Sequence, residues 1–410
     1  MKKISAFITA LILTAALSGC GLPFNSVEPS DDGVITVKER DSTVTLDIYP
    51  ENDKYELTDK FQRAEYRQLT KQQKSLYIIL DNAVYNMTTG YIKLGVTSKL
   101  DVEVAYHALR NDRPEYFWLP TSYTLRSSGD SYEICFAERA DRWLYTAVDR
   151  RKYEAEIRKS LSEFLNTLDS DASEFDREVA AHDMLADSID YDHAALESPK
   201  EHLGAWNIVG AFCDGTAVCE GYSRAMQIMC FMMGIDCAVV TGVTTEPHMW
   251  NLVKINGSWY HLDLTSNDGD NGVYHFFLNV TTDYMLKGRT IDPLFGENST
   301  DIRRCNTFLP LCTATEYNYH FVNSLYIADK SQTESTVVSL ICDAVRGGRR
   351  TVEFGVSPDI GFVFGEQNAA EVFKLERCIS AANAELPYSQ RLKAYSYGGV
   401  VGASGFVLSW

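Results

Sequence analysis

Apolar residues recur at three- and four-residue spacing in several stretches of this chain, and that spacing predicts helices. Leu76, Ile79, Leu80, Ala83 and Val84 fall on one stripe within a helical reading of 57–89. A short helix is expected over 102–109. Tyr153, Ile157, Leu161, Phe164, Leu165 and Leu168 mark an amphipathic helix. After a polar break at Asp171, Phe175, Val179, His182, Ala186 and Ile189 mark another. His182 lies on that apolar stripe and reads as a satisfied, partly buried histidine. Between these helices, Pro114, Tyr116, Phe117, Trp118 and Pro120 form an aromatic cluster whose default reading is core packing. A strand-like run follows at 132–136.

Beyond Thr307 the pattern changes. Helices are expected at 337–344 and 369–384, and strands at 351–356, 362–364, 392–397 and 405–410, which together read as a small α/β domain. The expected organisation is a tether over 20–55, a helix-rich N-terminal domain over 56–169, a third domain over 170–300 and the α/β domain over 310–410. The tether could itself hold a strand pair at 34–37 and 44–48.

Hydrophobic residues make up 45% of the 410, enough for buried cores. The formal charge is −18, and the densest basic spot, Arg346-Gly347-Gly348-Arg349-Arg350, reads as a turn. Nucleic acid is therefore not an expected partner. No apolar run reaches the roughly 18–20 residues a spanning helix needs. Lys2 and Lys3 precede an apolar stretch that ends in Leu17-Ser18-Gly19-Cys20. This resembles a bacterial lipoprotein signal, with residues 1–19 removed and lipid carried on Cys20. Without Lys2 and Lys3 the formal −18 becomes −20. The expected location is the extracytoplasmic face of the cell membrane, held by acyl chains.

Nine cysteines remain besides Cys20: 135, 213, 219, 230, 237, 305, 312, 342 and 378. An odd number outside the cytoplasm leaves at least one thiol free. Cys230 and Cys237 lie in apolar stretches and read as small buried side chains. No C-x2-C spacing occurs, so no structural zinc is expected.

The chemistry concentrates between Cys213 and Leu278. Tyr222, Ala225, Met226, Met229, Phe231, Met232 and Met233 describe a helix stopped by Gly234. Cys219 opens it, where unpaired backbone N–H groups and the positive end of the helix dipole favour a thiolate. Glu220 opposes this unless its side chain points away. Strands are expected at 248–255 and 258–264, joined by Asn256-Gly257, a strong two-residue hairpin signal. With a two-residue turn, Asp263 opposes Trp250, and His248 is its diagonal neighbour at roughly 7–8 Å along the backbone. A bulge or a longer loop would break that inference. Cys219, His248 and Asp263 suit nucleophilic attack on a carbonyl: thiolate, base and then acid, and an orienting carboxylate. The Cys219 backbone N–H is the obvious oxyanion donor, and Trp206 is a candidate second one. His261 is a rival for the ring role on the same hairpin face. Asn267-Asp268-Gly269-Asp270-Asn271 lacks the spacing and terminal Glu of an EF-hand and reads as a solvated turn.

Three motifs in order resemble the transglutaminase-like superfamily of papain-type thiol enzymes. They are Ala217-Val218-Cys219-Glu220-Gly221-Tyr222-Ser223, His248-Met249-Trp250-Asn251 and Trp259-Tyr260-His261-Leu262-Asp263-Leu264-Thr265. The stretches from His182 to Asp192 and from Tyr274 to Val280 resemble its flanking helix and closing strand. The resemblance covers about 170–285. It implies an α+β papain-like core, with Cys219 at a helix N-terminus, His248 and Asp263 on antiparallel strands, and these three as the triad. Ser266 stands where related sequences often carry Trp, which puts the local substrate groove in doubt. Members of this superfamily hydrolyse amides, transfer acyl groups to amines or serve as binding modules. Hydrolysis of amide bonds in peptide or protein through a Cys219 thioester is the first expectation. Cross-linking of glutamine side chains to amines and non-catalytic surface binding are the alternatives. No cofactor is implied, since Cys–His chemistry needs none.

Overall fold

The computed structural model describes residues 63–269, 272–295 and 305–410, with the backbone of three short strands before them, Phe24–Pro29, Ile35–Glu39 and Thr43–Leu46. The second and third pair antiparallel, from Ile35↔Leu46 to Lys38↔Thr43, overlapping the strand pair expected in the tether. Residues 1–19, the expected leader, and Cys20 lie outside the described residues, as do 57–62 and 270–271. The chain mixes helices and sheets. Among the described residues no helix is long and apolar enough to cross a membrane. Two compact units form. The first takes in the chain to Gly242, Pro247–Gly257 and Asp292–Pro310; the second takes in Val243–Glu246, Ser258–Ile291 and Leu311–Trp410.

In the first unit the long N-terminal helices start at polar caps. Thr70 and Gln73 form a capping box for Lys71–Tyr85, Thr146 and Asp149 one for Ala147–Leu165, and Ser173 and Asp176 one for Glu174–Ser188. Ser98 caps Lys99–Asp112. The helix expected over 57–89 is therefore interrupted. Ala64–Gln68 is a separate short helix, and the chain is extended at Leu69 before it re-enters through Thr70. Leu76, Leu80, Ala83 and Val84 are buried, as their spacing requires. Tyr116, Phe117 and Trp118 are buried too. The Trp118 indole donates to Val84 O at 2.9 Å, and the Arg150 guanidinium covers its ring at 3.7 Å. The aromatic cluster is thus core. Ser131–Cys135 forms the middle of a three-stranded antiparallel sheet, between Ile92–Lys93 and Thr124–Ser128.

The Cys219–Met232 helix is the most enclosed element of this unit, with every residue from Gly221 to Met232 buried. It packs against the Pro247–Ile255 strand, which neighbours Asp236–Val243. Asn251, wholly buried, donates to Ser223 O at 2.9 Å and reaches Ala238 O at 3.5 Å, tying helix and strands together. Asn256 and Gly257 both have positive φ, 46° and 90°, the backbone that a tight hairpin turn of this dipeptide requires.

In the second unit Thr351–Val356 is central. It runs parallel to Tyr326–Ile327 and antiparallel to Gly405–Ser409, which pairs in turn with Ser396–Gly398. Helices Thr333–Arg346 and Leu375–Glu385 share an apolar core with Phe354, Phe362, Phe373 and Phe406. Two expectations are corrected here. Residues 362–364 do not form a strand, because Gly361 and Gly365 take φ of +73° and +93° and turn the chain on both sides; Phe362 serves as a core anchor. The helix expected over 369–384 is split into Ala369–Val372 and Leu375–Glu385, because Lys374 is left-handed at φ 48°.

Glu353 of the central strand lies between two imidazoles, 3.0 Å from His275 Nδ1 and 2.9 Å from His320 Nε2. Burial raises its carboxyl, but the His320 charge and the hydrogen bonds of both rings outweigh burial and hold it at about 2. Its folded value lies below its unfolded one, so its stabilisation is present above pH of about 4.5 and is lost as pH falls through about 2. We expect denaturant unfolding to show a loss of up to about 3 kcal/mol across that window. Glu353→Gln should flatten the slope; an unchanged slope would remove this carboxylate from the acid response.

Candidate active site

Cys219 is the first residue of its helix, and the Val218 side chain before it supplies no capping acceptor. The first turn is held from outside by the Leu203–Trp206 turn. Val218 N donates to Ala205 O at 2.9 Å, and a Cβ on Gly221 would sit 2.4 Å from that same oxygen. Only glycine allows the helix to approach so closely. Asp190–Tyr191 runs parallel to Thr216–Ala217, which places Tyr191 beside the nucleophile position. Burial first, and then the neighbouring Cys219 side chain, raise the Tyr191 phenol, while the Cys219 backbone N–H pulls it back. The expected oxyanion donor thus faces a phenol oxygen. Trp206, the candidate second donor, packs with Tyr191 against Ala195, Ala205 and Val218. Its indole N–H is buried with no hydrogen-bond partner among the described residues.

The Glu220 carboxylate is held by two arginines. Arg110 Nη2 reaches its Oε1 at 3.0 Å, and Arg224 Nε and Nη2 reach the same oxygen at 2.9 and 2.8 Å. Burial raises the Glu220 carboxyl, but the two guanidinium groups prevail and hold it below its ordinary range.

His248 sits on the Pro247–Ile255 strand, partly buried, its ring stacked at 5.8 Å on Trp250. The strand is locked to the helix at this point. Ser223 Oγ lies 2.8 Å from Cys219 O and 3.0 Å from Met249 O, so one hydroxyl joins Cys219 to the neighbour of His248.

Asp263 belongs to the second unit and is wholly buried. Its placement corrects the expectation of a strand residue. The strand is Ser258–Leu262, shorter than expected, and Asp263 is the N-cap of the short helix Leu264–Asn267. Its Oδ1 accepts from Ser266 N at 3.1 Å. Its Oδ2 accepts from Ser266 Oγ at 2.7 Å and from Arg289 Nη2 and Nε at 2.6 and 3.2 Å. A capping carboxylate bends the chain out of the ladder. The Arg289 guanidinium lies 3.8 Å over the Phe277 ring. Ser266 thus bonds directly to Asp263.

The rival His261 is also wholly buried, with Nε2 3.1 Å from Thr282 Oγ1. Burial, and then the charge of Arg289, push its ring down to about 3. It stays neutral at working pH and is a poor general base. His182 is a fully buried helix histidine, Nδ1 2.8 Å from Asp183 Oδ1. Of the 267–271 run, Asn267 ends the Leu264–Asn267 helix, buried, with its Oδ1 accepting Phe277 N at 3.0 Å, and Asp268–Gly269 pairs antiparallel with Gly272–Val273. Among the described residues no cysteine is joined in a disulfide. Burial pushes Cys213 and Cys312 up to about 12 and Cys378 up to about 11, which keeps them protonated and unreactive.

Arg110 and Arg289 were not singled out from the sequence. Each sits far along the chain from the residue it serves, and neither lies in a motif. Tyr191 did carry a signal, as part of the upstream stretch with family resemblance.

Comparison with known proteins agrees with this core. Residues 161–264 match the family model of the transglutaminase-like superfamily. Kyphoscoliosis peptidase from Mus musculus is 24% identical over 144 residues, covering 32% of this chain and 21% of the relative, about a fifth of its length. Among solved structures, a TGase crystal structure is 18% identical, covering 37% of this chain and 46% of its own, at a TM-score of 0.26. A candidate cysteine protease from Cytophaga hutchinsonii is 12% identical, covering 42% and 65%, at a TM-score of 0.24. With its three motifs in order and a cysteine opening a buried helix, the 161–264 segment of this chain belongs to the transglutaminase-like superfamily.

Proposed function

We propose that this chain is a thiol-dependent amide hydrolase, with Cys219 as nucleophile, His248 as base and then acid, and Asp263 orienting the ring. The substrate class is peptide or protein outside the cytoplasm, and the anchor is lipid on Cys20 in the cell membrane. The Cys219 thiolate attacks the amide carbon, and the oxyanion forms at the Cys219 N–H. His248 gives its proton to the leaving amine, and a thioester remains. Water then loses a proton to His248 and attacks the thioester, releasing the acid and restoring the thiol. The observation that carries this reading is the Ser223 hydroxyl, which fixes the His248 strand against the first turn of the Cys219 helix.

The test is Cys219 alkylation as a function of pH, read by peptide mass spectrometry, in the wild type and His248→Ala. Cys219 is expected to alkylate at pH 6 at least about tenfold faster than an ordinary thiol, which titrates near 8.5, and the histidine variant should lose that advantage. A Cys219 no faster than an ordinary thiol would turn attention to binding without catalysis.

A further inference from the structure

Two arginines converge on the one carboxylate in the first turn of the nucleophile helix. Glu220 Oε1 takes Arg110 Nη2 at 3.0 Å and Arg224 Nε at 2.9 Å. The three side chains are 14%, 30% and 6% exposed in the order Glu220, Arg110, Arg224. Arg110 comes from the Lys99–Asp112 helix, and its place is fixed from both sides. Arg224 Nη1 donates back to Arg110 O at 2.8 Å, and Gln227 Nε2 donates to Asn111 O at 2.8 Å. Carbonyls left unpaired by the end of one helix are thus filled by side chains of the other.

The charge count matters. One carboxylate against two guanidinium groups leaves a net positive charge of one around Glu220, the residue that follows Cys219. Further titratable groups lie on the neighbouring elements: Glu65, Asp112 and Arg113 at the end of the Lys99–Asp112 helix, Asp192 with His202 beside Thr216–Ala217, two phenols and the proposed base. Tyr106 faces the cluster and donates its hydroxyl to Pro120 O at 3.0 Å, and its burial keeps it protonated. Tyr191 faces Cys219, and its phenol is likewise raised. His248 is the proposed base. Without Arg110, Glu220 and Arg224 would cancel, and the first turn would lose its surplus cation.

We infer that Arg110 is a positioning residue, lent by the N-terminal helical region, that with Arg224 turns an acidic first turn into a net cationic one and so favours the Cys219 thiolate. This deepens the proposed function and rests on Cys219 as its nucleophile.

The test is a charge series in the full chain, read as the pH of half-maximal Cys219 alkylation by iodoacetamide. Wild type, Glu220→Gln, Arg110→Met and the double variant carry cluster charges of one, two, zero and one by the same count. The midpoint is expected to fall by about half a pH unit or more in Glu220→Gln and to rise by a similar amount in Arg110→Met, with the double variant near the wild type. A packing role alone would not give opposite shifts that cancel. Both single variants moving the same way, or neither moving, would overturn the inference. Should Glu220→Gln fail to fold with its two guanidinium groups unpaired, Arg110→Met against Arg110→Lys decides: a raised midpoint in the first and an unchanged one in the second support it, and equal midpoints sink it. Amide hydrolysis is assayed separately. Midpoints that move as stated with no hydrolysis leave this inference standing and remove the hydrolase reading.

Discussion

Cys219→Ala is expected to lower amide hydrolysis by on the order of 10⁴–10⁶-fold, with His248→Ala close behind. The losses should not add in the double variant, because nucleophile and base act as one unit. Cys219 is only partly buried, so removing its sulfur leaves no core cavity. The melting temperature should therefore stay near that of the wild type while the rate collapses. The assay is release of new amino termini from an unstructured protein such as casein, repeated with a labelled primary amine present. Retained cleavage in Cys219→Ala would exclude the thioester route. Label entering the substrate protein in place of water would identify acyl transfer as the reaction.

The second large effect concerns stability. Arg289→Met is expected to cost about 3–5 kcal/mol, because it leaves the wholly buried Asp263 carboxylate without its cation. Contact of the guanidinium with the Phe277 face is lost as well. The double variant Asp263→Asn, Arg289→Met should recover most of the loss, since neither lone charge remains. Denaturant unfolding of the four members gives the coupling. An Arg289→Met midpoint close to the wild type would show that the pair is not a structural anchor.

Much of this architecture was legible in local sequence because local chemistry decides it. Asn256-Gly257 sets its own turn, and Thr146 and Asp149 start a helix by bonding to each other's backbone. Asn251 and Met249 fall in the motif that marks the His248 strand. What failed was decided at a distance. Asp263 leaves the strand to cap a turn and meet Arg289, twenty-six residues on, which nothing in the run 258–264 announces. His261 is a rival for the ring role by its place on the hairpin face, and burial together with Arg289 keeps it neutral. Residues 362–364 had strand composition, but the flanking glycines turned the chain first. By sequence Glu220 opposes the thiolate unless its side chain points away, and only the fold supplies Arg110 from 110 positions upstream.

The docked end of the Lys99–Asp112 helix has a practical consequence for dissecting this molecule. The family match begins at residue 161, yet the polar side of the Cys219–Met232 helix is completed by Arg110 and Asn111. A fragment excised at the family boundary would bare the Arg224 and Gln227 side chains, both now buried, and strip Glu220 of one of its two cations. Minimal catalytic fragments should therefore be cut upstream of the Arg63–Glu115 ion pair, so that the helix and its anchor travel with the nucleophile.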